Sequence, residues 1–203
     1  NYTDEVNGGF KGAPKFPQFY IFDTILHFYS KTNNKKYLDT VEKLLINLSS
    51  KGIYDHLEGG ISRYTVDEKW IVPHFEKMLY DNIQYVSLLN NYLSNKESDY
   101  LKYKLKQKIK FINSEFLVKN SLLGSAYDAD SDGIEGKYYV WKYQELKDIL
   151  GSDLELFKNK YQISEEGNFE GSNILVETIE PIFDKDSKIL EIEKKLLEIR
   201  KKR

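Results

Sequence analysis

Apolar residues recur at three- and four-residue steps along most of the chain, which is the spacing of one helix face. Phe19, Phe22, Ile25, Leu26 and Tyr29 predict a first helix, opened by Pro17, whose fixed φ suits a helix start. Asn33-Asn34 marks a turn. Leu38, Val41, Leu44, Leu45 and Leu48 predict a second helix over about Lys36 to Lys51, with Gly52 as its left-handed stop. So short a join makes the two an antiparallel hairpin. A third helix is expected from Pro73 to about Leu93, on Phe75, Leu79, Asn82 or Ile83, Val86, Leu89 and Leu93. A fourth, about Ser98 to Phe116, turns Leu101, Leu105, Ile109, Ile112 and Phe116 inward. Its other face carries Lys102, Lys104, Lys106, Lys108 and Lys110, read as a solvated face rather than a nucleic-acid surface.

Between these helices the period changes. Asn7 to Gln18 (NGGFKGAPKFPQ) is too rich in Gly and Pro for regular structure. Gly59 to Asn82 (GGISRYTVDEKWIVPHFEKMLYDN) holds two short β-like runs around Val66-Asp67-Glu68-Lys69, then a proline opening the third helix. Leu122 to Tyr143 alternates aspartates with small residues and ends in a β-like run, Lys137 to Trp141. Short helices follow at Tyr143 to Leu150 and Leu154 to Tyr161. A possible strand covers Asn173 to Glu177, and a charged, peripheral final helix starts after Asp186. No strand–helix–strand rhythm of a parallel sheet is visible. The expected fold is mainly α: antiparallel helical hairpins closing into a toroid, with short β-hairpins in the loops at one end.

Composition sharpens this only at the margins. Of 203 residues, 40% are hydrophobic and 31% charged, which excludes a disordered chain. Formal net charge is −2, so no global field attracts nucleic acid. No apolar run approaches a membrane span, and no basic-then-apolar leader opens the chain. Cysteine is absent, which excludes disulfides, thiol catalysis and thiolate metal sites and is compatible with a cytoplasmic location. Sixteen Tyr and eleven Phe suit either an aromatic core or an aromatic-lined groove. Position 1 is Asn and the last residues are Arg-Lys-Lys-Arg, so a chain cut from something longer is expected.

Two constellations carry candidate chemistry. The first is His74 with Glu76, Lys77 and Asp81, read as a polar stripe at a helix start. A neutral imidazole there can serve as a base or as a donor to a substrate oxygen. The competing reading is a packing histidine beside a Lys77–Asp81 pair. The second is Asp128-x-Asp130-x-Asp132-Gly133, which opens like a calcium loop but has Tyr139 where the bidentate Glu is required. An acidic turn or a mouth-lining carboxylate cluster are the other readings. Asp81 with Asp128 or Asp130 could supply the paired carboxyls of glycoside hydrolysis. Tyr64, Trp70, Tyr127, Tyr138 and Trp141 could stack on sugar rings or fill a core. Three histidines without a zinc spacing, and no phosphate-binding glycine motif, give no metal site and no cofactor.

Long words in the chain resemble a known family. GGFKGAPKFPQ (Gly8 to Gln18), GIYDHLEGGISRYTVDEKWIVPHFEKMLYDN (Gly52 to Asn82), SAYDADSDGIEGKYYVWKYQEL (Ser125 to Leu146) and EEGNFEGSNIL (Glu165 to Leu175) look like successive blocks of the thioredoxin-domain-containing spermatogenesis-associated protein 20 (YyaL-like) family. The resemblance implies an N-terminal thioredoxin-like domain, absent from this cysteine-free chain. It also implies an (α/α)6 toroid similar to N-acylglucosamine 2-epimerase and six-hairpin glycosidases, of which residues 1–203 would hold about the first half. Related epimerases use histidines as acid/base groups, so the resemblance points to an epimerase-, isomerase- or glycosidase-like domain acting on carbohydrate. The expected catalytic residues are His74, Asp81 and Asp128. The expected substrate-binding residues are Arg63, Tyr64, Trp70, Glu76, Lys77, Asp130, Glu135 and Trp141. The rival expectation is a non-catalytic interaction platform serving the thioredoxin-like domain. Neither nucleic acid nor membrane is expected as a partner.

Overall fold

A computed structural model of the protein describes residues 2–118, 122–178 and 187–203. It is mainly helical, with two short antiparallel β-pairs in the loops. Helix α1 (Phe19–Thr32) ends at Asn33, whose left-handed φ of 53° is tolerable for a short amide side chain. Helix α2 (Lys35–Ser50) starts under the Asn34 side chain, which accepts from the Lys36 amide at 3.1 Å. Helix α3 covers Leu79–Leu93, and α4 (Asp99–Phe111) is capped by Ser98. A π-helical turn, Ile112–Phe116, extends α4 over the length the periodicity predicts. Residues Tyr143–Leu150 form α5 as expected, Leu154–Lys160 form α6, and Ser187–Arg200 form α7.

The helices build two apolar centres. Phe22, Leu26, Val41, Leu44, Leu45, Leu48, Leu88, Leu89 and Leu101 join α1 to α4 in one. Leu146, Leu150, Phe157, Ile192 and Leu196 join α5, α6 and α7 in the other. Between them sits a smaller cluster of Phe75, Ala129 and Ile174.

Several expectations are corrected. Helix α3 starts at Leu79 rather than Pro73, because the chain from Pro73 onward is already committed to extended pairing. Pro73 bridges Thr65, and β1 (Lys77–Met78) pairs antiparallel with β2 (Ala126–Tyr127). The expected hairpin before it contracts to that Thr65–Pro73 bridge. Its loop is closed by Asp67, whose carboxylate accepts from the amides of Lys69, Ile71 and Val72. Gly52 is not a left-handed stop; α2 ends in an extended Lys51. Gly52 is needed for space, since a Cβ there would stand 2.0 Å from the Ile71 carbonyl oxygen. The run from Lys137 is a turn, and only Trp141 pairs, with Asn173. The β-pairing expected over 173–177 is confined to that bridge and one between Tyr161 and Glu177.

The lysine face of α4 is not uniformly solvated. Lys104 and Lys108 are 2% and 0% exposed. Lys104 donates to Glu177 at 2.8 Å, and His56 Nδ1 lies 3.3 Å from the same oxygen. Burial and the Lys104 charge push the His56 pKa down, so the imidazole is neutral. Tyr100 donates to the other Glu177 oxygen. Among the described residues Lys108 has no carboxylate partner; it donates to Asn82 Oδ1 at 3.1 Å and lies over the rings of Tyr54 and Tyr85. Burial lowers its pKa far below the ordinary lysine value.

Nor is the final helix peripheral. Arg200 is 2% exposed and grips Asp55 with two parallel bonds of 2.8 and 2.9 Å. Lys77 donates to the same carboxylate at 2.7 Å. These cations hold the Asp55 pKa far below the carboxylate range despite its burial.

Arg200→Ala should lose about 3–5 kcal/mol in urea unfolding, since it leaves a buried carboxylate half-compensated. Lys108→Met, which removes a buried cation lacking an anionic partner, should fall within about 1 kcal/mol of the parent or exceed it. The folded-state pKa values of Asp4, Asp55 and Glu177 are all depressed, so their contribution is complete above the ordinary carboxylate range. It should drain away as pH falls below about 4, because the unfolded chain then takes up protons that the native carboxylates refuse. Unfolding midpoints measured from pH 7 down to pH 3 check this.

Candidate functional site

The loops bring part of the sequence-selected set together: Asp128, Asp130 and Lys77 share one cavity lining, and Glu135 meets His74. The aspartate stretch forms a hairpin in which β3 (Asp130–Ser131) pairs with β4 (Ile134–Glu135). Its two-residue turn, Asp132-Gly133, has φ of 53° and 73°, the positive values that twist a hairpin turn to match its strands. Asp132 pairs outward with Lys137 at 2.8 Å, away from the convergent geometry of a calcium loop. Among the described residues no cluster of His, Cys, Asp or Glu is arranged to hold a metal ion.

Asp130 and Glu135 are opposite one another in the hairpin, so their side chains leave the same face. Asp130, with Asp128 and Ser131, lines a cavity of about 320 Å3. Its other walls are Tyr127, Tyr138, Tyr139 and Phe111, with Glu58, Glu115 and Lys77. Glu135 does not line that cavity; its carboxylate lies 2.9 Å from Nδ1 of His74. The imidazole and the aspartate hairpin, 54 or more positions apart in sequence, therefore meet.

His74 is not at a helix start. It sits in the extended segment before α3, ring-stacked on Tyr64 at 4.9 Å. Arg63 and Glu76 face each other at 3.3 Å on the same pair of segments. Asp81, in the first turn of α3, is buried, and its Oδ2 has no hydrogen-bond partner among the described residues. Burial raises its pKa to about 7, with Glu76 adding to the rise and Arg63 opposing it.

Two expected binding residues lie elsewhere, and a third is not free to bind. Trp70 is fully buried in the main core and its indole donates to the Asn7 carbonyl at 2.9 Å. Trp141 is fully buried in the second core, with the Arg203 guanidinium 3.9 Å from its ring centre. Neither presents an open face for stacking. Lys77 touches the cavity but is engaged by Asp55, so it is a strut of the wall rather than a free cation, and no Lys77–Asp81 pair forms. Conversely, Glu58, Glu115 and the three tyrosines line the cavity, yet Glu58 and Glu115 escaped selection. Glu58 had a visible signal, since it sits in the same IYDHLEGG block as Asp55. Glu115 had none, because its place depends on the π-helical turn.

A mainly helical protein with an acidic, tyrosine-lined cleft carried on its loops is what fold and site define. No protein-family model matches the chain. It is similar to an uncharacterized protein of Caenorhabditis elegans, 32% identical over 160 residues, covering 73% of this chain and 22% of that protein. It is likewise similar to spermatogenesis-associated protein 20 of mouse and of human, each 28% identical over 189 residues, covering 83% of this chain and 24% of theirs. These similarities support a relationship to the spermatogenesis-associated protein 20 family. The chain spans about a quarter of the length of these relatives. Among the described residues no helix is long and apolar enough to cross a membrane.

A carboxyl whose folded pKa is raised favours the fold at low pH and loses that advantage as pH rises through the folded value. Asp81→Asn should therefore raise the melting temperature more at pH 8.5 than at pH 5. Thermal scans of both proteins at the two pH values read the difference.

Proposed function

We propose that the cleft binds a small carbohydrate and that the protein is an epimerase-, isomerase- or glycosidase-like domain, its helical hairpins forming part of an (α/α) toroid. The observation that carries this reading is the lining of the 320 Å3 cavity: tyrosine rings beside carboxylates. Aromatic faces suit the apolar C–H faces of a sugar ring, and carboxylates accept from its hydroxyls. Asp128 and Asp130 have no cationic partner among the described residues, so their acceptor oxygens remain available. In this reading His74, linked to the aspartate hairpin through Glu135, is the acid/base group, and Arg63, Tyr64, Glu76 and Asp81 belong to its surroundings rather than to the cavity lining.

A second reading has its own support. Leu117, Val118, Leu122 and Leu123 are each about half exposed or more and are joined by the Leu117–Leu123 bridge and the Val118–Leu122 backbone bond, a small apolar patch. Such a patch suits an interaction platform for another domain, for which a thioredoxin-like domain is the candidate.

Calorimetric titration with monosaccharides and disaccharides should give saturable binding at concentrations on the order of 1–10 mM or tighter. Asp128→Asn/Asp130→Asn should weaken it about tenfold, the size of roughly one lost charged hydrogen bond. No heat with any sugar, together with capture of a thioredoxin-like domain that Leu122→Asp abolishes, would leave the platform reading in its place.

A further inference from the structure

His74 is held by groups from three separate parts of the chain. Its ring stacks on Tyr64 at 21° between planes, and Tyr64 stacks in turn on Phe16 at 4.7 Å. Its amide donates to the Tyr64 carbonyl at 3.1 Å. Its own carbonyl accepts from the Glu76 amide at 2.7 Å, closing a three-residue turn around Phe75. Glu135 meets Nδ1 from the aspartate hairpin.

The turn is strained. Phe75 has φ of 57°, a region that bulky side chains rarely enter, at a cost of about 1–3 kcal/mol. It persists because the Phe75 ring is fixed below the surface. The ring stacks on Tyr139 at 5.5 Å, meets Phe169 edge-on, and lies where a Cβ on Gly136 would come within 2.5 Å. Burying Phe75 turns its neighbours, His74 and Glu76, toward the partly exposed rim. An ordinary exposed histidine–carboxylate pair contributes about 0–1 kcal/mol and needs no such support. Here a strained backbone, a ring stack and a carboxylate fix a single imidazole.

We propose that Glu135 is a positioning residue that fixes His74 as the Nδ1–H tautomer, making Nε2 the proton-accepting atom of the site. A carboxylate oxygen 2.9 Å from Nδ1 favours a proton on that nitrogen, since an Nδ1 lone pair there would face the anion, so in the neutral ring the lone pair is on Nε2. Nε2 has no hydrogen-bond partner among the described residues. A proton leaving a substrate hydroxyl, or a C–H beside a carbonyl, passes to Nε2 while its electron pair stays on the substrate. The resulting imidazolium is balanced by the Glu135 carboxylate, and the reverse transfer returns the proton. The identity of the proton donor rests on the carbohydrate reading; the tautomer does not.

Histidine ring 15N–1H correlation spectra at pH 8, where an ordinary imidazole is neutral, test this. The His74 signals are assigned by their loss in His74→Asn. The expected spectrum shows His74 with its proton on Nδ1. Glu135→Ala should abolish that pattern, whereas Glu76→Ala, which removes a neighbouring carboxylate that does not touch the ring, should keep it. Protonation on Nε2 in the parent protein, or an unchanged Nδ1–H pattern in Glu135→Ala, overturns the proposal. Both results are read without sugar, so a fixed tautomer in a protein that binds no carbohydrate would discard the carbohydrate reading and keep the positioning role.

Discussion

One buried carboxylate organises this structure. Asp55 accepts two bonds from Arg200, 145 positions later, and one from Lys77, and its Oδ1 also takes the amides of Leu57 and Glu58. That single group ties the loop after α2, the strand before α3 and the end of the last helix. Two buried cations on one buried anion are tolerable only together, because removal of any member strands charge in a medium that solvates it poorly. The tie also sets the floor of the cleft, since Lys77 is one of its walls and Glu58, beside Asp55, is another.

Two further buried carboxylates, Glu177 and Glu193, repeat the logic. Glu177 collects Lys104, His56 and Tyr100, while Glu193 collects Lys160 and Tyr161. These knots explain much of the tyrosine content. Tyr100 and Tyr161 bring hydroxyl donors to buried carboxylates, and Tyr54 and Tyr85 offer ring faces to buried ammonium groups. Burial pushes the phenol pKa values up, so these groups remain donors. Aromatic enrichment here serves polar burial as much as the cleft.

The rim obeys a different constraint. Phe75 is placed in the small central cluster at the cost of a positive φ, and its neighbours are thereby presented outward. The hairpin turn at Asp132-Gly133 then sets Asp130 and Glu135 opposite one another, Asp130 on the cavity lining and Glu135 against His74. Core packing and turn chemistry, rather than a helix end, bring the polar groups together.

The amino-acid order by itself determined the helices, because a 3.6-residue apolar period survives in almost any context. The limits of α1, α2 and α5 follow from that period and from local caps such as Asn33 and Asn34. It also singled out two words that the fold brings into contact, since His74 meets Glu135 of the aspartate hairpin. Only the tertiary structure decided the fate of Lys104 and Lys108, whose helical positions look solvated until Glu177 and Asn82 arrive from elsewhere. The same holds for Arg200, whose partner Asp55 lies 145 positions earlier in the chain. Trp70 and Trp141 were drawn from the rim into the cores, and Pro73 was claimed by Thr65 before a helix could begin. Periodicity records which face of an element is apolar. It does not record which distant charge or strand will reach that face, and long-range pairing set every one of those outcomes.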